Sequence, residues 1–189
     1  MPTTSEGDKR STQSPSIEVV DDTVAGDVDG SDIETPYAYL ADLARDLLPA
    51  LGLHPEVELC IRVVDEEEMT RLHEDWMGEP GPTDVLSFPM DELRSCPPGV
   101  APEPGVLGDI VICPEFVESD CDGAVHDRLE LLIVHGMLHL LGWDHADDED
   151  RRTMFELQEQ LLDRWRGRGE PLTSGMTPLA LGGSLHESH

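Results

Sequence analysis

The segment VHDRLELLIVHGMLHLLGWDH, residues 125–145, limits the fold of this chain more than any other stretch. Leu129, Leu132, Ile133, Gly136 and Leu140 share one stripe at helical spacing, which predicts a helix over 125–141. His135 and His139 stand four residues apart, so a helix puts both imidazoles on one face, one turn apart, within reach of a single ion. Gly142 follows three residues later, where a glycine at φ > 0 ends a helix and reverses the chain. That reversal through Gly142, Trp143 and Asp144 can bring His145 to the same ion. Three neutral nitrogen ligands with an open fourth position are the layout of a catalytic zinc site, since structural zinc sites close with four protein ligands. Three unrelated histidines on the surface or in the core would leave the glycine between them without a reason.

The rest of the sequence sets bounds. A chain of 189 residues holds one domain plus tails. Aromatics make up 4% of it, so the core is expected to be mostly aliphatic. No run of about 18 uncharged apolar residues is present, which argues against a membrane span. The polar start MPTTSEGDKRSTQS lacks an apolar stretch, so no secretory leader is expected, and a soluble, cytoplasmic protein is. Lys plus Arg is 12 against 41 Asp plus Glu, a formal net charge of -29. Such a field disfavours binding nucleic acid by bulk counterion release, so any RNA contact must rest on a local site, a metal or a partner. Cys60, Cys96, Cys113 and Cys121 form no C-x-x-C pair and read as small buried or loop residues.

Along the chain, residues 1–15 read as a disordered tail and 16–20 as a first strand. Thr35 and Pro36 suit a helix start, and Tyr39, Leu40, Leu43, Leu47 and Leu48 then recur at helical spacing until Gly52. Residues 57–64 read as a strand. Asp65 caps a second helix that carries Met69, Leu72 and Trp76 on one face, and Pro80 and Pro82 stop it. Strands are expected at 85–90 and 107–113, with an irregular proline-rich loop between them. A last helix over 147–166 turns Met154, Leu157, Leu161 and Trp165 inward. The order β-α-β-α-β-β-α-α predicts an α+β fold, close to α/β, with one small mixed sheet of about four strands packed with helices. The domain is expected over 16–168, with a second disordered tail over 169–189 and the zinc site on the C-terminal helix and following turn.

The spacing H-x3-H-x2-G-x2-H also matches the zinc frame of metzincin proteases. Those proteases carry a glutamate base directly after the first histidine, where this chain has Gly136. A metzincin-like protease is therefore the weaker reading. Taken with PTDVLSFP at 82–89 and LGDIVIC at 107–113, the segment HGMLHLLGWDH resembles the signature of the YbeY family of bacterial metal-dependent endoribonucleases, over about Ser16 to Arg168. The resemblance implies a zinc-dependent hydrolase specific for single-stranded RNA, with one zinc per chain. It also implies a role in 16S ribosomal RNA 3′-end maturation and ribosome quality control. Expected partners are the 16S precursor, the small ribosomal subunit and a ribosomal protein, with no DNA and no membrane. A non-enzymatic ribosome-assembly factor that uses zinc only for folding is the other alternative.

Carried over residue by residue, His135, His139 and His145 match the family's zinc ligands. Asp144 matches the aspartate before the third histidine; it either orients a ligand or caps the turn. Thr83, Asp84 and Ser87 either line the cleft or fix the turn into a strand, with the structural role favoured. Asp109 is either a cleft-facing polar group or a strand-end hydrogen-bonder. Many family members carry an aromatic-arginine pair where this chain has Trp76 and Met77, and methionine cannot bind a phosphate. Trp76 reads as core or cleft wall. Arg62, Arg71, Arg94 and Arg128 are the candidates to supply a phosphate contact in place of Met77, each against the plain reading of a solvated arginine.

Overall fold

A computed structural model describes residues 16–24, 35–120, 123–143 and 148–167. Both expected tails lie outside these residues, as do Asp144 and His145. The chain runs β1 (Ile17–Asp21), α1 (Tyr39–Leu47), β2 (Glu58–Val63), α2 (Glu66–Met77), β3 (Val85–Pro89), β4 (Val106–Ile112), α3 (Pro114–Asp120), α4 (Val125–Leu140) and α5 (Asp148–Trp165).

The four strands form one sheet in the order β1-β2-β4-β3. Strand β2 pairs in parallel with β1 and with β4, while β3 runs antiparallel to β4. The mixed sheet and the α+β class agree with the expectation. Successive side chains of a strand point to opposite faces, and the two faces have different covers. Ile61, Val63, Ile110 and Ile112 join the main core with α1, α4 and α5. Leu86 and Val111 belong to a smaller cluster with Met69 and Leu72 of α2 and Cys113.

Helix α1 starts at Tyr39 rather than directly after Thr35. The Thr35 hydroxyl accepts from the Tyr37 N–H at 3.3 Å and shapes a turn ahead of the helix. Helix α2 starts as expected, with the Asp65 carboxylate accepting the Glu68 N–H at 2.8 Å, a cap that contributes about 1 kcal/mol. Its face differs from the expectation at one residue. Trp76 is 67% exposed and touches Phe88 edge-on, with ring centroids 5.4 Å apart. It sits at the last turn of α2, beyond the part covered by Met69 and Leu72. Helix α3, seven residues that bury Pro114 and Val117, was not expected.

Helix α4 is apolar on nearly every side. Leu129, Leu132, Ile133, Val134, Met137, Leu138 and Leu140 are all buried. A helix of that kind is stable only inside a core, and α4 is enclosed by β3, β4, α1, α3 and α5. One buried carboxylate ties α5 to it. Glu130 accepts from Trp165 Nε1 at 2.7 Å and from Arg166 Nε at 2.8 Å, so its charge is buried with partners. Cys60, Cys96 and Cys113 are free thiols, and Cys121 lies outside the described residues. Burial pushes the Cys113 thiol above its ordinary pKa, as suits an inert core residue.

Candidate metal centre

The helix brings His135 and His139 together as the i, i+4 spacing requires. Their Nε2 atoms are 3.0 Å apart, and the rings stand nearly perpendicular at 79°, with centroids 4.5 Å apart. Two imidazole nitrogens bound to one zinc at 2.0–2.1 Å, in a tetrahedral arrangement, stand roughly 3.3 Å from each other. The observed pair is within a few tenths of an ångström of that separation.

The far side of His135 is also occupied. Its Nδ1 is 3.1 Å from Oε1 of Gln158, a side chain of α5 that is only 7% exposed. An amide oxygen can only accept, so Nδ1 carries the proton. The lone pair of His135 then lies on Nε2, the atom that faces His139. This is how a ligand histidine is held by a partner behind it, with tautomer and ring angle both fixed. The donor set is thus neutral, nitrogen-based and pre-oriented, and it fits a zinc ion.

The turn that follows is built for a reversal. Trp143 N–H donates to Leu138 O at 3.0 Å and Gly142 N–H to His139 O at 2.9 Å, which is the Schellman pattern of a helix end. Gly142 has φ +83°, a conformation that side-chain-bearing residues rarely adopt. Buried Trp143 and Leu138 close the turn against the core. Asp144 and His145 are the next two residues and lie outside the described region. The described residues therefore supply two of the three expected ligands, and among them no three His, Cys, Asp or Glu side chains converge on a metal position.

The position after His135 separates this site from a protease. A Cβ on Gly136 would stand 3.0 Å from both Ser87 Oγ and Ile110 Cδ1. Position 136 is turned into the sheet, so a glutamate base has no room there. Ser87 consequently meets α4 directly. Asp84 holds the start of β3 to the first turns of α4 through Arg128, Nη2 to Oδ2 2.7 Å. Asp109 alternates with Ile110 on β4 and so faces away from α4, and together with burial it pushes the Cys60 thiol pKa up. Gln158 was not singled out from the sequence. The signal was available: a polar residue between Leu157 and Leu161, inside the buried stripe of α5.

The chain is similar to known proteins over most of its length. The family model described as Endoribonuclease YbeY matches residues 28–166. A protein of Thermobifida fusca named Endoribonuclease YbeY is 56% identical over 130 residues, covering 67% of this chain and 84% of its own length. One of the same name from Acidothermus cellulolyticus is 53% identical over 146 residues, covering 72% and 87%. The solution structure of a Thermotoga maritima protein superposes with a TM-score of 0.50 at 27% identity, over 80% of this chain and 92% of the other.

Proposed function

The chain belongs to the YbeY family, and on that premise we propose that it is a zinc-dependent endoribonuclease that hydrolyses single-stranded RNA. The observation that carries this reading is the pair of Nε2 atoms at 3.0 Å with Gln158 behind one of them. His135, His139 and His145 would hold one zinc ion per chain, and Asp144 directly precedes the third ligand in the sequence. An ion held there would supply Lewis acidity, able to polarise a phosphodiester oxygen and to make a bound water a nucleophile near neutral pH. The protein's own share is orientation. Gln158 keeps the His135 proton on Nδ1 and its lone pair on Nε2. The left-handed Gly142 ends α4, three residues before His145 in the sequence. The packing at Gly136 keeps a carboxylate out, which disfavours peptide hydrolysis through a glutamate base.

The substrate reading extends to the cell. We take the 16S ribosomal RNA precursor as the substrate and 3′-end maturation, with ribosome quality control, as the role. The small ribosomal subunit and one of its proteins are the partners. A partner of that kind offsets the repulsion between RNA and a chain of net charge -29. None of the described helices is long and apolar enough to cross a membrane, and the place of action on this reading is the cytoplasm. The hydrolase unit is residues 16–168, with 1–15 and 169–189 as dispensable tails.

The test is cleavage of a labelled single-stranded oligoribonucleotide by the purified protein, against the same sequence in duplex form. Cleavage of the single strand alone is expected, with loss of it in His139→Ala and on chelation. Intact RNA under all conditions, with tight binding to immature small subunits, would instead point to a non-enzymatic assembly factor.

A further inference from the structure

The chain must hold a polyanion against its own field, so its cations decide where RNA can sit. Most of the described arginines are already committed to carboxylates. Arg62 pairs with Asp22 at 2.6 Å, Arg71 with Glu68 at 2.6 Å and Asp75 at 3.3 Å, and Arg128 with Asp84 at 2.7 Å. Arg45, Arg152, Arg164 and Arg166 are paired as well. Arg94 and Arg151 are exposed and have no carboxylate partner among the described residues; Arg151 is on α5, whereas Arg94 lies against the turn that follows His139.

Its position is built. The loop after β3 is pinned at both ends: Asp91 Oδ2 accepts the Val106 N–H at 2.7 Å, and the Cys96 N–H donates to Gly52 O at 3.2 Å. Between them Leu93 packs on the main core and Ser95 is buried. Glu92 takes φ +49°, a left-handed conformation uncommon outside glycine. The carbonyls of Glu92 and Leu93 both accept from Arg94 Nη1, at 3.1 and 3.0 Å. The guanidinium is thereby laid on the turn that follows His139. Its carbon, Nε and Nη1 stand 3.0, 3.2 and 3.3 Å from where a Cβ on Gly142 would lie, so the plane is flat against that turn. Gly142 is three residues beyond His139, and its N–H donates to the His139 carbonyl at 2.9 Å. Nη1 is spent on the loop, whereas Nε and Nη2 have no acceptor among the described residues. Those two nitrogens form the edge that grips a phosphate with two parallel hydrogen bonds.

We propose that Arg94 is a substrate-binding residue, which holds an RNA phosphate next to the one at the histidine centre through the Nε/Nη2 edge of its guanidinium. The proposal rests on the endoribonuclease reading above. One fixed cation beside the centre gives local attraction where the protein as a whole repels, and a clamped guanidinium gives up little freedom on binding.

The experiment uses the full chain and a single-stranded oligoribonucleotide in which each linkage in turn is replaced by an uncharged methylphosphonate. With wild-type protein, one linkage besides the cut one should matter, its neutralisation raising KM about tenfold, as expected for a lost charge-assisted contact. Arg94→Ala should raise KM on the unmodified strand by about the same factor and become indifferent to that linkage. Zinc content and Tm should stay unchanged, and Arg94→Lys should recover part of the loss, since it keeps the charge and loses the fork. If Arg94→Ala and Arg94→Lys both keep the wild-type KM and the same dependence on each linkage, Arg94 does not touch the substrate. A KM change in Arg94→Ala that leaves the linkage dependence intact would mark a purely structural residue and also overturn the proposal. A wild-type protein that cleaves no single-stranded RNA would overturn the endoribonuclease reading, and this proposal with it.

Discussion

Helices α4 and α2 cover opposite faces of the same sheet and carry the two parts of the sequence that looked most like a site. Helix α4 lies in the main core, with its buried residues running from Leu129 to Leu140, and its two histidines converge to 3.0 Å. Helix α2 buries only Met69 and Leu72, and its last turn presents Trp76 and Met77 to solvent. A polar pair inside an apolar helix is held by everything around it. An aromatic at the end of a thinly covered helix rests edge-on against Phe88. The histidine pair sits where the packing is most constrained, and helical periodicity alone does not say which face reaches the core.

The two faces should answer differently to substitution. The largest effect is expected from Gly136→Glu, which forces a carboxylate against Ser87 and Ile110. Overpacking and an unpaired buried charge should together cost about 3 kcal/mol or more, read as a loss of folded protein in urea unfolding. Ile133→Ala in α4 should cost about 2–5 kcal/mol, and Met69→Ala in α2 should fall at the lower end of that range. Equal losses at the two sites would break the contrast between the faces. Gln158→Ala should leave the fold in place but weaken zinc binding about 10–100-fold, measured by competition with a chromogenic chelator. The smallest effect is expected at Trp76→Ala, within about 1 kcal/mol, because most of that ring never leaves water.

Much of this was legible in the sequence, and the misses have physical causes. The i, i+4 histidines and Gly142 could be read because the helix period and the left-handed turn are local geometry. The strand order β1-β2-β4-β3 was not, since pairing is decided by which faces must be buried together. Helix α3 escaped because seven residues leave too little periodicity to see. The spacing of Trp76 from Met69 and Leu72 points it inward, but at the end of α2 it meets Phe88 of the edge strand β3 and stays 67% exposed. Gln158 reaches His135 only through the packing of α5 on α4, a contact that spacing along the chain does not contain. Arg94 looked no different from Arg62, Arg71 or Arg128 until their carboxylate partners were placed.

On the proposed reading His135 and His139 of α4, together with His145, hold one zinc ion, and zinc X-ray absorption on untagged protein reads that site. The account predicts about one zinc per chain, with nitrogen or oxygen neighbours at about 2.0–2.1 Å and the multiple-scattering pattern of imidazole. His139→Ala should lower both the metal content and that pattern. A sulfur shell at about 2.3 Å, or an unchanged spectrum in His139→Ala, would contradict it.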